Sequence, residues 1–464
     1  MKKVKFVKLR RIAFISLVGF SLSGVIGNTP VQGAFHIGNL LIGGYLKNES
    51  SWHLQRPGEL MKSQWQFNLE LDYHLSDHIT CFLQLRPEYE AIFKWSSHGM
   101  GAHDEWKDEL QDNWFRNDDF NPLVREAWIH INYENFEARL GRQIVVWGRS
   151  DGIRLLDMVN PYFMREGVLD EDEDAKIPIW MFKLRYWFTV ENGLELLWIP
   201  RYVPSVAPLK DSPFAFQATK MLEGELIPML KSFGIKFKHS EPGTSISKSE
   251  IGLRWLGMFK NFNYSLNYFY TWDDVMDMVA KGPKLYTFKP DRLSIFGGSF
   301  DYAFSHALFM DDWVIRGEFA YYNGDNFINM ETNQIEERDH FDVMWGFDKN
   351  FFVDYYVSFQ FAQSFLLHRG DDYSGPGLSA IDSIENQYTL MLQKFVYDDR
   401  IMLETLICAS DEGDAWARPR VSFEYTDEIK LTLGGNFFWG SSDDFYGQWH
   451  RSGDQIFFEI KYGF

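Results

Sequence analysis

Charged side chains occur again and again on one face of the alternating segments of this 464-residue chain. Charges that face one another across a water-filled bore create a transverse field and a size filter, which select ions. The pattern therefore predicts the lining and the constriction of a pore. The residues predicted for these positions are Arg86, Glu88, Glu126, Arg139, Gln143, Arg149, Arg154, Asp157, Arg185, Arg316, Glu318, Arg420 and Glu424.

The same charges have an alternative interpretation, in which they pair with one another and hold a loop in place. Arg142, Arg149, Arg154 and Asp157 lie close in sequence to an acidic run at 170–174. Charged groups inside proteins commonly pair among themselves. Structural ion pairs are thus as compatible with the pattern as a selectivity filter is.

Catalysis and bound cofactors find little support in the sequence. No paired-acid motif is evident, and His130, which falls on the charged face of its segment, fits a hydrogen-bonded wall residue better than a base. Cys81 and Cys408 fall on opposite faces of their segments, which argues against a disulfide. Because no haem motif and no zinc-spaced cluster of Cys and His occurs, we expect no enzyme and no cofactor.

Strands are the elements that must position these charges. In the segment from 64 to 73, Trp65, Phe67 and Leu69 share one face, while amide and acidic residues occupy the other. Hydrophobic residues make up 45% of the chain, yet after residue 33 no apolar run reaches the roughly 20 residues of a membrane helix. A closed barrel crosses a bilayer without such a run, so the fold class is an all-β, transmembrane antiparallel β-barrel.

The connections between the alternating segments are short and long in turn. Short periplasmic turns and long extracellular loops are typical of outer-membrane barrels, and this alternation gives about eighteen strands, with sixteen as the alternative. The last segment alternates from Ile456 to Phe464 and ends on an aromatic residue. We expect it to close the barrel, and we expect Phe464 to be the signal that the barrel assembly machinery reads.

The N-terminus has the form of a secretory signal peptide. Basic residues cluster among the first eleven positions, an apolar run follows from 12 to 26, and small residues stand near Gly33 and Ala34. We therefore assign 1–33 to a signal peptide, 34–464 to one barrel domain, and the protein to the cell outer membrane. The net charge of −19 makes nucleic acid an unlikely partner.

One stretch carries a resemblance to a known family. It combines Gly141-Arg142-Gln143, Val146-Trp147-Gly148 and the Asp-x-Val-Asn-Pro pattern at 157–161, and it resembles the DUF1302 family of outer-membrane barrels. The segments at 44–49 and 347–351 are similar to that family as well. Since the family has no established substrate, the resemblance implies the location and the fold but no activity.

Several loops carry features of their own. The pattern predicts a short helix from Gly152 to Val159, closed by Asn160-Pro161, and an amphipathic helix that begins near Phe216 and ends before Pro228. Acidic clusters occur near 104–109, 170–174 and 411–414. They are interpreted either as divalent-cation sites that bridge to lipopolysaccharide or as a solvated acidic rim.

These features favour a porin-like channel or transport protein whose substrate the sequence does not identify. Hydrophobic or lipid-like solutes are suggested by the aromatic and methionine-bearing loops, and periplasmic transport partners would then be needed. Two alternatives remain: a barrel that sheathes a periplasmic partner such as a multihaem cytochrome, and a structural or adhesive outer-membrane protein.

Overall fold

The computed structural model describes residues 34–92, 123–150, 153–208, 210, 212–304, 313–329, 334–351, 354–367 and 384–464. The predicted signal peptide at 1–33 and the acidic cluster near 104–109 lie outside these residues. In the described ranges no helix has both the length and the apolar character needed to span a membrane.

Eighteen antiparallel strands form the wall of a closed barrel, as the alternation of short and long connections predicts. They are β1 Leu40–His53, β2 Leu60–Ser76, β3 Ile79–Leu85, β4 Val124–Tyr133, β5 Phe136–Gln143, β6 Ile179–Trp187, β7 Asn192–Ile199, β8 Glu250–Phe259, β9 Phe262–Trp272, β10 Arg292–Ala303, β11 Trp313–Asn329, β12 Gln334–Phe351, β13 Tyr355–Leu367, β14 Ile384–Val396, β15 Ile401–Ser410, β16 Ala415–Glu424, β17 Ile429–Trp439 and β18 Gln455–Gly463.

The barrel closes between its first and last strands. β1 pairs with β18 from Tyr45 opposite Gly463 to His53 opposite Gln455. Phe464 continues this pairing, because its backbone exchanges two hydrogen bonds of 3.0 Å with Gly44 and its ring stacks on Phe67 at 5.9 Å between centroids. The terminal strand is thus confirmed as the closing strand, and the role of Phe464 in assembly stays a prediction.

The two faces of the wall differ as the alternation predicts. On β2, Trp65 and Phe67 are each 39% exposed on the outside, whereas Gln66 and Asn68 are buried on the inside. Apolar side chains form the outer surface and polar side chains form the lining. The backbone groups of both faces pair between neighbouring strands. Cys81 and Cys408 are both free thiols, in agreement with their predicted placement on opposite faces.

Short elements lie outside the wall. A long connection between β7 and β8 carries helical turns at Gln217–Thr219, Lys220–Leu226 and Ile227–Ser232. The predicted amphipathic helix therefore exists, but it continues through Pro228 instead of ending before it. A three-stranded sheet of Lys236–His239, Asp277–Gly282 and Leu285–Lys289 follows.

Candidate functional site

The long connection between β5 and β6 folds into the barrel and is called the inner loop below, residues 144–178. Its described part is 144–150 and 153–178. It contacts wall residues on distant strands, among them Lys62 on β2, Glu318 on β11 and Arg418 on β16. Since these strands lie on different sides of the closed wall, the inner loop crosses the lumen.

The two ends of the inner loop are tied together by Asn160. Its amide oxygen accepts the Val145 N–H at 2.8 Å, and its amide nitrogen donates to the carbonyls of Gln143 and Ile177 at 3.1 and 3.0 Å. Gln143 and Ile177 lie where the chain leaves β5 and approaches β6. One side chain of the Asp-x-Val-Asn-Pro pattern therefore fixes the neck of the loop.

The Gly-Arg-Gln pattern shapes the end of β5. Gly141 has φ +144°, and a side chain there would clash with the carbonyl oxygen of Ala127 and with Trp128 on β4. Glycine is therefore required at this close approach between β4 and β5. Arg142 donates to the Arg125 carbonyl at 3.1 Å, and Gln143 donates to the Met181 carbonyl at 3.1 Å.

The predicted helix from Gly152 to Val159 is wrong over its described part, 153–159, where the chain has no helix. Glu318 on the wall accepts the backbone N–H groups of Ser150 and Leu156 at 2.9 and 3.3 Å. The Arg154 guanidinium donates to the carbonyls of Asp157 and Asn160. Side chains thus satisfy backbone groups that a helix would pair internally.

Acidic residues of the inner loop pair with basic residues of the wall. Asp174 contacts Lys47 at 3.0 Å and Arg86 at 2.6 Å. Glu166 contacts Lys62 at 2.8 Å. The two partners of Glu171 are Arg418 at 2.9 Å and Arg420 at 2.8 Å. Glu171 and Asp174 of the cluster at 170–174 are therefore directed at the inner wall, which argues against an external acidic rim at these two residues.

Charges within the loop and on its other side complete the pairing. Lys176 pairs with both Asp157 and Asp172, and Arg149 pairs with Asp301 on β10. The Arg154 guanidinium contacts Asp274, in the connection after β9, at 3.4 Å and lies over the Tyr162 ring. Removing one partner of such a pair leaves the other charge buried without compensation, which is destabilising.

The carboxyls in and beside the inner loop divide into one group with lowered pKa values and one with raised pKa values. Burial alone would raise the pKa of Asp174, but Lys47 and Arg86 hold it well below its usual range. Burial likewise opposes a fall at Glu171, and Arg418 and Arg420 lower its pKa. By contrast, burial and the neighbouring Glu166 raise the pKa of Asp170 to about 7, and burial raises that of Asp274 to about 6 against the effect of Arg154.

Apolar packing covers the other sides of the loop. Trp147, Leu156, Met158 and Val159 pack in one buried cluster with wall residues of β6 to β11, including Phe269. A second cluster joins loop residues such as Met164 and Leu169 to Trp416 and Phe438 on the wall. The loop is therefore held by charged and by apolar contacts, and both kinds occur on several sides of the wall.

The structure brings most of the predicted lining residues into one charge network around the inner loop. Arg86, Glu88, Arg154, Asp157 and Arg420 are bonded within the network. Glu126 and Glu318 accept backbone N–H groups of the loop, and Arg316 donates to the Arg149 carbonyl at 2.7 Å.

Three of the predicted lining residues stand apart from the inner loop. Arg139 lies over the ring of Trp128 on the wall. Arg185 pairs with Glu137 and Glu195, two acids of the wall itself. Glu424 is exposed at the end of β16, near the short turns. Whether any of these side chains filters ions remains a prediction.

Several residues of the site escaped the sequence argument. Lys47 and Lys62 occupy inward positions of β1 and β2, so extending the alternation of β2 by two residues would have found Lys62. Glu166 acts through Lys62, 104 residues away, and no local pattern signals it. The Asp-x-Val-Asn-Pro pattern includes Asn160, but it does not indicate that this side chain fixes the neck of the loop.

The letters of residues 148–152, Gly-Arg-Ser-Asp-Gly, fit the Gly-x-Ser-x-Gly pattern of a hydrolase nucleophile elbow. The described geometry differs from such an elbow, in which the serine sits on a turn between a strand and a helix. The Ser150 hydroxyl donates to the Ile153 carbonyl and its N–H donates to Glu318. In the ranges that the structure describes, no group of three or more His, Cys, Asp or Glu side chains is arranged to hold a metal ion.

The fold defines the class of protein as a β-barrel of the porin type. The barrel is similar to a BenF-like porin from Pseudomonas fluorescens Pf-5, with 9% identity, a TM-score of 0.52, and coverage of 92% of this chain and 99% of that chain. It is also similar to Acinetobacter baumannii OccAB2, with 8% identity, a TM-score of 0.51, and coverage of 92% and 98%. At such identities the likeness concerns the fold alone.

The chain belongs to the family described as "Protein of unknown function (DUF1302)", whose model matches residues 93–397. The resemblance that rests on the segment around 141–161 is thereby confirmed. The match includes the whole inner loop and begins after the segment at 44–49. A comparison with curated proteins gives no match.

Replacing Asn160 by alanine should loosen the neck of the inner loop. The change leaves the buried Val145 N–H without its acceptor, and we expect the free energy of unfolding to fall by about 2 to 4 kcal/mol. Hydrogen exchange of the Val145 amide should become faster. Asn135→Ala, in an exposed turn, is the control, and an unchanged exchange rate in Asn160→Ala would argue against the clamp.

Loop packing should strengthen as the pH falls from about 8 to about 5. Asp170 has a raised pKa of about 7, so the packed loop binds a proton in this window that a released loop does not, and lower pH favours packing. Glu171 and Asp174, whose pKa values are lowered, keep their ion pairs until the pH falls below the usual carboxyl range.

The midpoint of thermal unfolding, followed across this range, measures the effect. It should rise toward pH 5, and the rise should be smaller in Asp170→Asn. Asp427→Asn, in an exposed turn, should leave the rise as it is. A midpoint that falls from pH 8 to pH 5 would contradict the role of Asp170.

Proposed function

We propose that this protein is a porin-like channel of the outer membrane in which the inner loop narrows the lumen. The observation that carries the proposal is the course of the loop through a closed wall whose lining is polar. In porin-type barrels, charged side chains at such a constriction set the size and the charge of the solutes that pass. The outward apolar face and the likeness in fold to porins support the outer-membrane location.

The lining favours small polar solutes over the hydrophobic ones that the sequence suggested. Charged, amide and hydroxyl side chains line the inner wall, as in the row Gln64, Gln66 and Asn68 on β2. The buried apolar clusters lie between the loop and the wall, where each side already packs against the other. An apolar solute would therefore have to displace existing contacts.

The alternative of a barrel that sheathes another protein is less well supported by this interior. Contacts from the inner loop to β2, β11 and β16 occupy the space that a threaded partner such as a cytochrome would need. We retain lipopolysaccharide, the assembly machinery and periplasmic transport proteins as proposed partners, on the grounds of the barrel fold and the terminal aromatic strand.

Releasing the inner loop from one wall should increase the current through the barrel. In Glu171→Gln, Arg418 and Arg420 lose the carboxylate through which they pair with the loop, and hydrogen bonds to charged groups contribute about 1.5 to 3 kcal/mol. We expect purified protein in planar bilayers to conduct ions, and the variant to conduct more.

Glu424→Gln provides the control, because it removes an inward carboxylate without touching the loop. Its mean conductance should stay close to that of the unmodified protein. Bilayers that stay silent with both the unmodified protein and Glu171→Gln would overturn the proposed channel.

A further inference from the structure

The inner face of β4 to β8 carries positive charge that the wall itself does not neutralise. Arg139 on β5 and Lys183 on β6 are directly opposite each other in the ladder. Successive side chains of a strand alternate between its two faces. Leu140, next to Arg139, and Trp180, three positions before Lys183, are exposed on the outside, so Arg139 and Lys183 point inward. Like charges in this position destabilise a sheet, so the arrangement needs a compensating negative charge.

Two carboxylates near this pair, those of Glu137 and Glu195, are bonded by other donors. Arg185 contacts Glu137 at 3.3 Å and Glu195 at 2.6 Å. The remaining oxygen of each acid accepts an indole N–H, from Trp187 at 2.9 Å and from Trp147 at 2.8 Å. Arg185 and two tryptophans thus bond to each oxygen of these two acids, and Glu126 on β4 accepts the Ile144 N–H at 3.2 Å.

Arg139 and Lys183 are therefore left without a paired acid, as is Arg254 on β8. Across the described ranges none of the three has a carboxylate oxygen within 4.0 Å of its side-chain nitrogens. The Nε atoms of Arg139 and Arg254 are buried and lack a hydrogen-bond partner. Arg254 makes one weak contact of 3.4 Å to the Val146 carbonyl. Buried donors without acceptors indicate a group that completes them.

An aromatic surface adjoins these cations. The Arg139 guanidinium lies 4.1 Å from the centre of the Trp128 ring, and Trp128 stacks on Phe82 with 4.8 Å between centroids. Trp128 and Phe82 occupy inward positions of β4 and β3, where the wall is otherwise mostly polar. A cation beside a flat apolar surface suits a ligand that has both an anionic and an apolar part.

We propose that Arg139 and Lys183 bind the carboxylate of a small organic acid, with Trp128 against its apolar part. This inference deepens the proposed channel function and rests on it. The ligand is anionic because Arg139 and Lys183 are opposed cations without a paired carboxylate, and it is an organic acid because Trp128 offers apolar surface beside them.

The test uses the full-length exported protein in planar bilayers, with sodium benzoate as the probe. The variant Arg139→Gln/Lys183→Gln removes the opposed cations while keeping side chains of similar length. We expect the reversal potential in a KCl gradient to shift toward cation preference. The benzoate concentration that halves the current should rise about tenfold or more, which corresponds to about 1.4 kcal/mol.

Lys430→Gln/Lys461→Gln is a matched control. These two lysines are also directly opposite each other, on β17 and β18, and the change removes the same charge from the lining. Glu424 and Glu459 lie in the same ladders, on the same inward face, so the wall supplies its own carboxylates there. In this control, the benzoate concentration that halves the current should equal that of the unmodified protein.

A further variant, Trp128→Leu, separates the two parts of the site. It should raise the benzoate concentration that halves the current and leave the corresponding acetate concentration unchanged, because acetate has little apolar surface. Equal weakening for both anions would assign Trp128 to the structure of the wall alone. Phosphate that acts as strongly as benzoate would overturn the carboxylate assignment.

The outcomes distinguish this inference from the proposed function. A conducting barrel whose response to benzoate is the same with and without Arg139 and Lys183 would overturn the site and leave the channel standing. A silent barrel would overturn the channel, and calorimetric binding of benzoate to the same proteins in detergent would then decide the site. Binding lost in Arg139→Gln/Lys183→Gln and kept in the control supports it, and equal binding in all three proteins overturns it.

Discussion

Charge pairing between the inner loop and the barrel wall is the constraint on which the arrangement of the lumen depends. Asp174, Glu166 and Glu171 meet basic residues of β1, β2 and β16 inside the barrel. Such pairs add little stability compared with apolar packing, but removing one partner leaves the other buried and uncompensated. The loop therefore has one well-defined position, which is what a constriction requires.

The wall and the loop contribute differently to this position. Strand alternation places a row of inward side chains at fixed intervals, so the wall is a rigid frame. The loop supplies carboxylates that match this frame, and Asn160 sets the neck from which it extends. On β5 and β6 the wall has cations for which the loop supplies no acid, and that surplus distinguishes the proposed anion site from the rest of the lining.

The barrel could be predicted from the sequence because its signal is local. Trp65 and Phe67 against Gln66 and Asn68 already define two faces, and the connection lengths define the number of strands. The course of the inner loop could not be predicted, because it depends on contacts such as Glu318 with Ser150, which are 168 residues apart. The helix predicted there followed local propensity, and side-chain acceptors on the wall overrode it.

Zero-length coupling of native lysines to carboxylates is the most direct measurement of the loop's position. Lys47 and Asp174 are 127 residues apart in sequence, their charged atoms lie 3.0 Å apart, and both side chains are partly accessible. Treating the assembled barrel with a water-soluble carbodiimide should yield a peptide in which Lys47 and Asp174 share an amide bond. Conversion of Asp174 by an added amine, with Lys47 left free, would contradict a loop packed inside the barrel.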